Sequence, residues 1–413
     1  MKDEIIHHLN DPKQLEKMYR TNKMLFKREF SMLYPELKGN ILADSWNERL
    51  NYESDEINWG TSSELLFVIF ASLVAGAIAK LPAFLSIEED FFYPRNIGFV
   101  VLPLLMAYFS WKNKLAAGKI AVIAGATVAG LLFINLLPDV SKSDTLILSC
   151  IHLPLFLWSI LGFAFVGEQR NMERRLGFLK YNGDLIVMTG LILIAGGIMT
   201  GITIGLFSLI GFHIEKFYFE YVAVFGVAAA PIVGTYLTRT NPQLVGKVSP
   251  VIAKIFSPLV LLMLVIYLAA IINTGKDPYN DRDFLMVFNA LLIGVMSIIF
   301  FSVAESSRTT KSQAGTYILL LLSIVTIVVN GIALSAILFR ISEWGITPNR
   351  AAVLGGNILI LINLLLVTVR LFRVLSKKSD IFEVGKAIAS YLPVYFLWTI
   401  IVTFIFPLIF RFL

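Results

Sequence analysis

Residues 184–211 read DLIVMTGLILIAGGIMTGITIGLFSLIG, about 28 residues with no charge after the first. A helix rises 1.5 Å per residue and needs about 20 apolar residues to cross a bilayer's hydrocarbon core, so this stretch can span and tilt markedly. Working outward, comparable stretches lie at residues 64–86, 96–111, 118–137 and 145–167 before it. After it come 217–238, 252–272, 284–304, 315–339, 350–370 and 387–410. The pattern predicts an all-α polytopic transmembrane bundle of about eleven helices over residues 64–411, behind a short helical segment at residues 1–60. The second stretch, ended by Trp111-Lys112 and containing Pro103, is the shortest and, of the eleven, the one most prone to be re-entrant or strongly tilted, though the charge pattern holds it as a span.

Composition agrees with that class. The 413 residues are 57% hydrophobic and 15% charged, with 32 Phe and a mean hydropathy of +0.75. Soluble domains carry about 25% charged residues, so a water-facing surface cannot be covered here. The net charge of +6 does not point to nucleic acid, because the basic residues are dispersed over many short loops. One cysteine, Cys150, sits in an apolar run and reads as a small buried hydrophobe, and the four histidines are scattered. Neither a metal site nor a cofactor is expected.

Loop charges orient the bundle. With eleven spans and residues 1–63 inside, 26 Lys and Arg fall on the inner side and 8 on the outer, with Lys80 within the first stretch. That asymmetry predicts an N-in, C-out topology. Acids gather outside, at Glu88-Glu89-Asp90 and Asp277/Asp281/Asp283, and the aromatics Phe91, Phe92, Tyr93 and Phe217, Tyr218, Phe219, Tyr221 fall at outer boundaries. The charged N-terminus has no apolar stretch before Glu64, so the first spanning helix is expected to direct insertion.

Residues 1–60 read as two or three short helices. Asp11-Pro12 is a helix start, with Leu15, Met18/Tyr19, Leu25/Phe26, Phe30 and Leu33/Tyr34 following at helical spacing. After Pro35 a second run, Leu37, Ile41/Leu42, Trp46 and Leu50, has the same period. These helices either pack on each other or lie on the membrane's inner face.

A few features are candidates for chemistry. Gly197, Gly201 and Gly205 recur every fourth residue, with Gly190 seven before Gly197. They predict a flat strip for close helix packing, or more sharply a sliding pivot. Lys80, on a face with Ser72 and Gly76, either snorkels outward or is buried against Glu215, Glu220 or Glu343. His213-Ile214-Glu215 with Glu220 could relay protons or bind a divalent ion, but reads first as an interfacial salt-bridge group. In RISEWGITPNR (340–350), Gly345 ends one helix, Thr347 caps the next and Pro348 takes its first position, a structural corner where Arg340, Glu343 and Arg350 can pair or meet a headgroup. Asn135, Asn330, Asn357 and Asn363 are amides within helices that would bond across to neighbours. Glu168-Gln169-Arg170 with Glu173-Arg174-Arg175 reads as a solvated helix end. There is no Walker loop, no G-x-S-x-G, no H-E-x-x-H and no paired-Asp motif, so neither an ATP-driven pump nor an intramembrane hydrolase is expected.

Three stretches resemble domain-of-unknown-function family 4153, a family of bacterial multi-pass proteins. They are HLNDPKQLEKMYR (8–20) with SWNERLNYES (45–54), HIEKFYFEYVAVFG (213–226) with APIVGTYL (230–237), and WGITPNRAAVLGGNILILINLLL (344–366). The resemblance extends over most of the chain. It implies an inner-membrane protein of Bacteroidetes-type bacteria, and it supplies neither an assigned reaction nor catalytic residues.

Among function classes, a transporter or permease-like protein with a polar cavity between helices comes first, and it predicts Lys80 or the asparagines on the cavity wall. The alternative is a non-transporting scaffold or sensor that engages a cytosolic partner through residues 1–60. A lipid-modifying enzyme comes last for want of a motif. The expected partners are the lipid bilayer and that cytosolic protein, not nucleic acid.

Overall fold

Bilayer-length apolar runs can satisfy their backbone only as helices or closed barrels, and the computed structural model contains no strand among the residues it describes. These are residues 2–21, 23–51, 59–140, 143–167, 171–209, 213–246, 248, 257–262, 264–266, 268–269, 282–306 and 313–412. They divide into two compact units, Met1–Asn58 and Trp59–Leu413.

The described residues of the first unit form four helices: α1 (Lys2–His7), α2 (Pro12–Thr21), α3 (Lys23–Leu37) and α4 (Ile41–Asn51). Asp11 caps α2 as its position before Pro12 suggests, its Oδ1 accepting from the Lys13 and Gln14 amides at 3.0 and 3.2 Å. The expected break at Pro35 falls elsewhere. Pro35 lies in the last turn of α3, and the chain reverses at Gly39, whose φ of +97° suits glycine. Asn40 then accepts from the Leu42 and Ala43 amides to start α4. Ile5, Leu15, Phe26, Phe30, Leu33, Ala43, Trp46 and Leu50 close a core belonging to this unit. Trp46 is its centre, with Phe26 and Tyr19 rings at 5.2 and 5.6 Å.

The second unit holds nine described helices long and apolar enough to cross a membrane. They are α5 (Ser62–Ala79), then, after the short α6 (Leu81–Leu85), α7 (Glu89–Lys112), α8 (Ala117–Leu136), α9 (Asp144–Val166), α10 (Met172–Leu209) and α11 (Glu215–Thr240, π-helical over Tyr218–Ala223). Two shorter apolar segments follow: α12 (Ser257–Ile266) and Leu291–Ala304, the latter within α13 (Arg282–Ser306). The series ends with α14 (Gln313–Trp344), α15 (Pro348–Leu375) and α16 (Ile381–Ile409). Residues 252–256, 263, 267 and 270–272 of the seventh predicted stretch lie outside the described residues. So do Glu168, Gln169, Arg170, Asp277 and Asp281.

The second stretch is not short. As α7 it runs for 24 residues, about 36 Å of helix, because its first two turns are the charged and aromatic residues that hydropathy excludes. Arg95 explains how that is tolerated. It is 4% exposed, and its guanidinium donates to the Ile134 and Leu137 carbonyls at 2.9 and 3.4 Å and to Asp139 at 3.2 Å. A buried cation thereby closes the C-terminus of α8. Asn96 and Asn135 exchange amide hydrogen bonds at 2.9 and 2.8 Å one residue on.

One apolar cluster is built mainly by α5, α7, α9 and α11, and a second by α13 to α16. The first turns of α10 join them, Phe178 and Tyr181 packing into one and Leu176 and Leu179 into the other. Close helix approach uses glycines other than those predicted. A Cβ added at Gly76, Gly183 or Gly355 would lie 2.1, 1.9 or 2.0 Å from the rings of Phe225, Phe301 and Trp398. At Gly190, Gly197, Gly201 and Gly205 it would meet nothing within 4 Å. The four-residue strip is thus present, but no described residue packs against its glycines. The reason is length: α10 has 38 residues, and its packed portion lies near its N-terminus, before the strip.

The bundle has two distinguishable ends. Glu64 of α5 meets Lys112 of α7 at 2.7 Å, and Asn113 donates to the last carbonyls of α9, so these termini share one end. At the other end of α9, Ser143 donates to the Phe412 carbonyl at 3.1 Å. The beginning of α5 and the end of α16 therefore lie at opposite ends of the bundle.

Candidate functional site

The last turn of α9 leaves carbonyls without partners inside the helix, as every helix end does. Here side chains take them. Asn113 donates to the Ala164 and Phe165 carbonyls, both at 3.0 Å, Arg174 to Val166 at 3.0 Å, and Lys119 to Gly167. Gly167 itself turns the chain at φ +70°. Two of these donors, Asn113 and Arg174, become walls of a recess of about 390 Å³ bounded by α7, α9, α10 and α11. That volume is within the ordinary range of small-molecule sites.

Aromatic rings form one side. Phe109, Phe165 and Tyr181 pack mutually, with centroids 4.9 to 5.2 Å apart. Tyr181 is 3% exposed, and its hydroxyl shares a 2.7 Å hydrogen bond with Thr235. The guanidinium of Arg239, near the end of α11, lies over the Phe109 and Phe165 rings at 5.9 and 5.3 Å. Lys180 and Asp184 sit one helical turn apart on α10, Glu173 and Arg174 near its start, and Thr238 completes the polar lining. Three cations thus face two carboxylates around a half-open space. Beside the recess, Glu64 is 2% exposed and accepts from Tyr108 at 2.6 Å and Lys112 at 2.7 Å. A charge so placed persists because both donors pair with it.

Of the residues singled out from sequence, Glu173 and Arg174, read as part of a solvated helix end, line this recess, and the others do not. Lys80 is not deep within a helix. Pro82 cannot continue α5, which ends at Ala79, so Lys80 occupies the break before α6. It is buried, and it meets the face of Tyr221, 4.6 Å from the ring centroid, rather than any described carboxylate. His213 is exposed and lies 3.7 Å from the half-buried Glu215, Glu220 lies 3.9 Å from Lys216, and no group of metal-holding side chains occurs among the described residues. The 340–350 corner is built as read. Gly345 has φ +74°, and Thr347 accepts from the Arg350 amide. Arg350 donates to the Trp344 and Gly345 carbonyls at 2.9 and 2.6 Å, not to Glu343. Arg340 is buried near the Trp344 ring.

The asparagines form a separate seam. Asn330 on α14 donates to the Asn357 carbonyl on α15 at 3.1 Å, and Asn363 donates to the Tyr395 hydroxyl on α16 at 3.1 Å.

Sequence reasoning missed Glu64, Tyr108, Tyr181, Asp184 and Arg239. Glu64 and Asp184 each stand at the head of an apolar stretch, which is the signal that could have found them. The Arg174 region was read as a solvated helix end, although Arg174 hydrogen-bonds across to α9. No family model matches the chain, and no curated protein or solved structure matches it either.

Proposed function

We propose that this chain is a permease-like multi-pass protein of a bacterial inner membrane and that the recess between α7, α9, α10 and α11 is its solute-binding vestibule. The recess itself carries the reading: it is walled by charged groups, backed by a buried Tyr181–Thr235 hydroxyl pair, and opens at helix termini. The vestibule is assigned to the cytosolic side. Lys112, Lys114, Lys119, Arg174, Arg175 and Arg239 gather at that end, in keeping with 26 inner against 8 outer basic residues when eleven helices cross. Opposite ends for the start of α5 and the end of α16 are consistent with an odd number of crossings, N-in and C-out.

Gly177 offers a test. It lines the recess, and a Cβ there would meet only a Phe165 ring atom at 3.9 Å, so a large side chain can fill the space without displacing core. In proteoliposomes offered a panel of small phosphates, carboxylates and amino acids, G177W should abolish uptake while its melting temperature stays within a few degrees of wild type. Undiminished uptake by a folded G177W protein would sink the vestibule.

The independent core of the first unit favours a second reading, a module that engages a cytosolic partner. It requires that removing residues 1–58 abolish function in cells while the bundle still inserts. A strain carrying that deletion and behaving as wild type would rule it out.

A further inference from the structure

The side chains around the vestibule differ in what they have left to give. Arg174 donates to Val166, Lys112 is held by Glu64, and Lys119 is held by Gly167. Arg239 has no hydrogen-bonded or ion-paired acceptor among the described residues; its guanidinium lies over the Phe109 and Phe165 rings and within the field of Glu64. An exposed arginine without an ion pair is ordinary. One resting over two packed aromatic rings at the edge of a polar recess is partly preorganised, because its planar fork loses less further freedom on binding. All five N–H donors are available to a ligand. Glu64, whose field reaches Arg239 from outside the recess, is already paired with Lys112 and hydrogen-bonded by Tyr108. Asp184, at the recess, shares its helix face with Lys180 one turn earlier.

We propose that the vestibule recognises a phosphate group and that Arg239 reads it, with Arg174 and Lys180 around the remaining oxygens. Bidentate pairing with a guanidinium suits a phosphate, and cations from two helices suit a group carrying several oxygens. The aromatic side formed by Phe109, Phe165 and Tyr181 would take the apolar remainder of the molecule. Such a phosphate belongs either to a free solute or to the headgroup of an anionic lipid, since the recess opens at the ends of spanning helices. This inference rests on the vestibule reading for the location of the site but not for flux.

The test uses the full chain in two arms. In detergent, inorganic phosphate is titrated calorimetrically against wild type, R239Q, R239K and the remote control K378Q. In nanodiscs, the same proteins are compared in phosphatidylcholine alone and with phosphatidylglycerol, by melting temperature and by the lipid that copurifies. Saturable phosphate binding that weakens about tenfold or more in R239Q, less in R239K and not in K378Q identifies a free phosphate as ligand. Stabilisation by phosphatidylglycerol that R239Q loses identifies the lipid headgroup. R239K guards against a folding defect in R239Q, because it keeps the charge and loses only the fork. Absence of binding in both arms, or binding indifferent to both Arg239 substitutions, overturns the proposal. Phosphate bound without uptake would leave this inference standing and remove the permease reading. Uptake indifferent to Arg239 would do the reverse.

Discussion

Two kinds of glycine are indistinguishable by spacing and opposite in consequence. Gly183 lies under the Phe301 ring, where an added Cβ would sit 1.9 Å from ring carbon, and a Cβ at Gly201 would meet no described atom within 4 Å. Gly183→Val forces the Phe301 side chain or α13 to move, an overpacking cost of about 1–3 kcal/mol or more. Gly201→Val adds apolar surface to an already exposed face and should leave the midpoint of unfolding in sodium dodecyl sulfate unchanged. A Gly201→Val protein that unfolds as early as Gly183→Val would mean that α10 packs on something through its strip. The four-residue repeat was legible because spacing alone makes a flat strip. Whether a partner faces it depends on where the long helix leaves the bundle, which no local pattern encodes. Lys80 carries the same lesson. Its burial was among the alternatives, but the partner is a ring on α11, brought close only by the fold.

At the scale of elements, α1 to α4 close a core around a single tryptophan, which makes their stability measurable on its own. A fragment of residues 1–58 should be helical and monomeric, with a margin of only about 3–5 kcal/mol. Trp46→Ala costs about as much and should leave that fragment unfolded by circular dichroism. Its acid limb is set by Glu16, which bridges Arg20 at 2.7 Å and Arg49 at 2.8 Å. The Arg20 hydrogen bond holds the Glu16 carboxyl below its ordinary value against the opposing effect of burial, with Arg49 adding to the lowering. A carboxyl depressed in the folded state contributes stability that is present above its unfolded value and lost as pH falls through the folded one. Glu16→Gln should therefore lower stability near neutral pH and flatten its decline on acidification. A Glu16→Gln fragment with the wild-type acid profile would show that the pair contributes nothing. Helix starts here were readable from Asp11-Pro12. The α3–α4 turn was not, because Pro35 resembles a breaker while Gly39 makes the reversal. The same difficulty displaced the start of α7: Glu89, Asp90 and Arg95 look like loop until the α8 carbonyls that receive Arg95 are in place.

For the molecule as a whole, the bilayer made the spans legible, since every crossing must show about 20 apolar residues in a row. The recess was not legible, because its lining comes from residues 109 to 242 and is assembled only where four helix ends converge. The number of crossings is open to a direct measurement. Dropping α12 and α13 together from the membrane would leave nine crossings and preserve the orientation of everything else, so labels elsewhere cannot separate nine from eleven. Asp277, between those two segments, can. In a Cys150→Ala background, Lys114→Cys and Ser376→Cys should react with a membrane-impermeant maleimide only after spheroplasts are permeabilised. Val140→Cys and Glu343→Cys should react in intact ones. Asp277→Cys should also react in intact spheroplasts if α12 and α13 both cross, and only after permeabilisation if neither does. Val140 and Lys114 labelling from the same side would overturn the topology itself. The charge asymmetry favours eleven, since with nine the acids at 277, 281 and 283 would join the basic side.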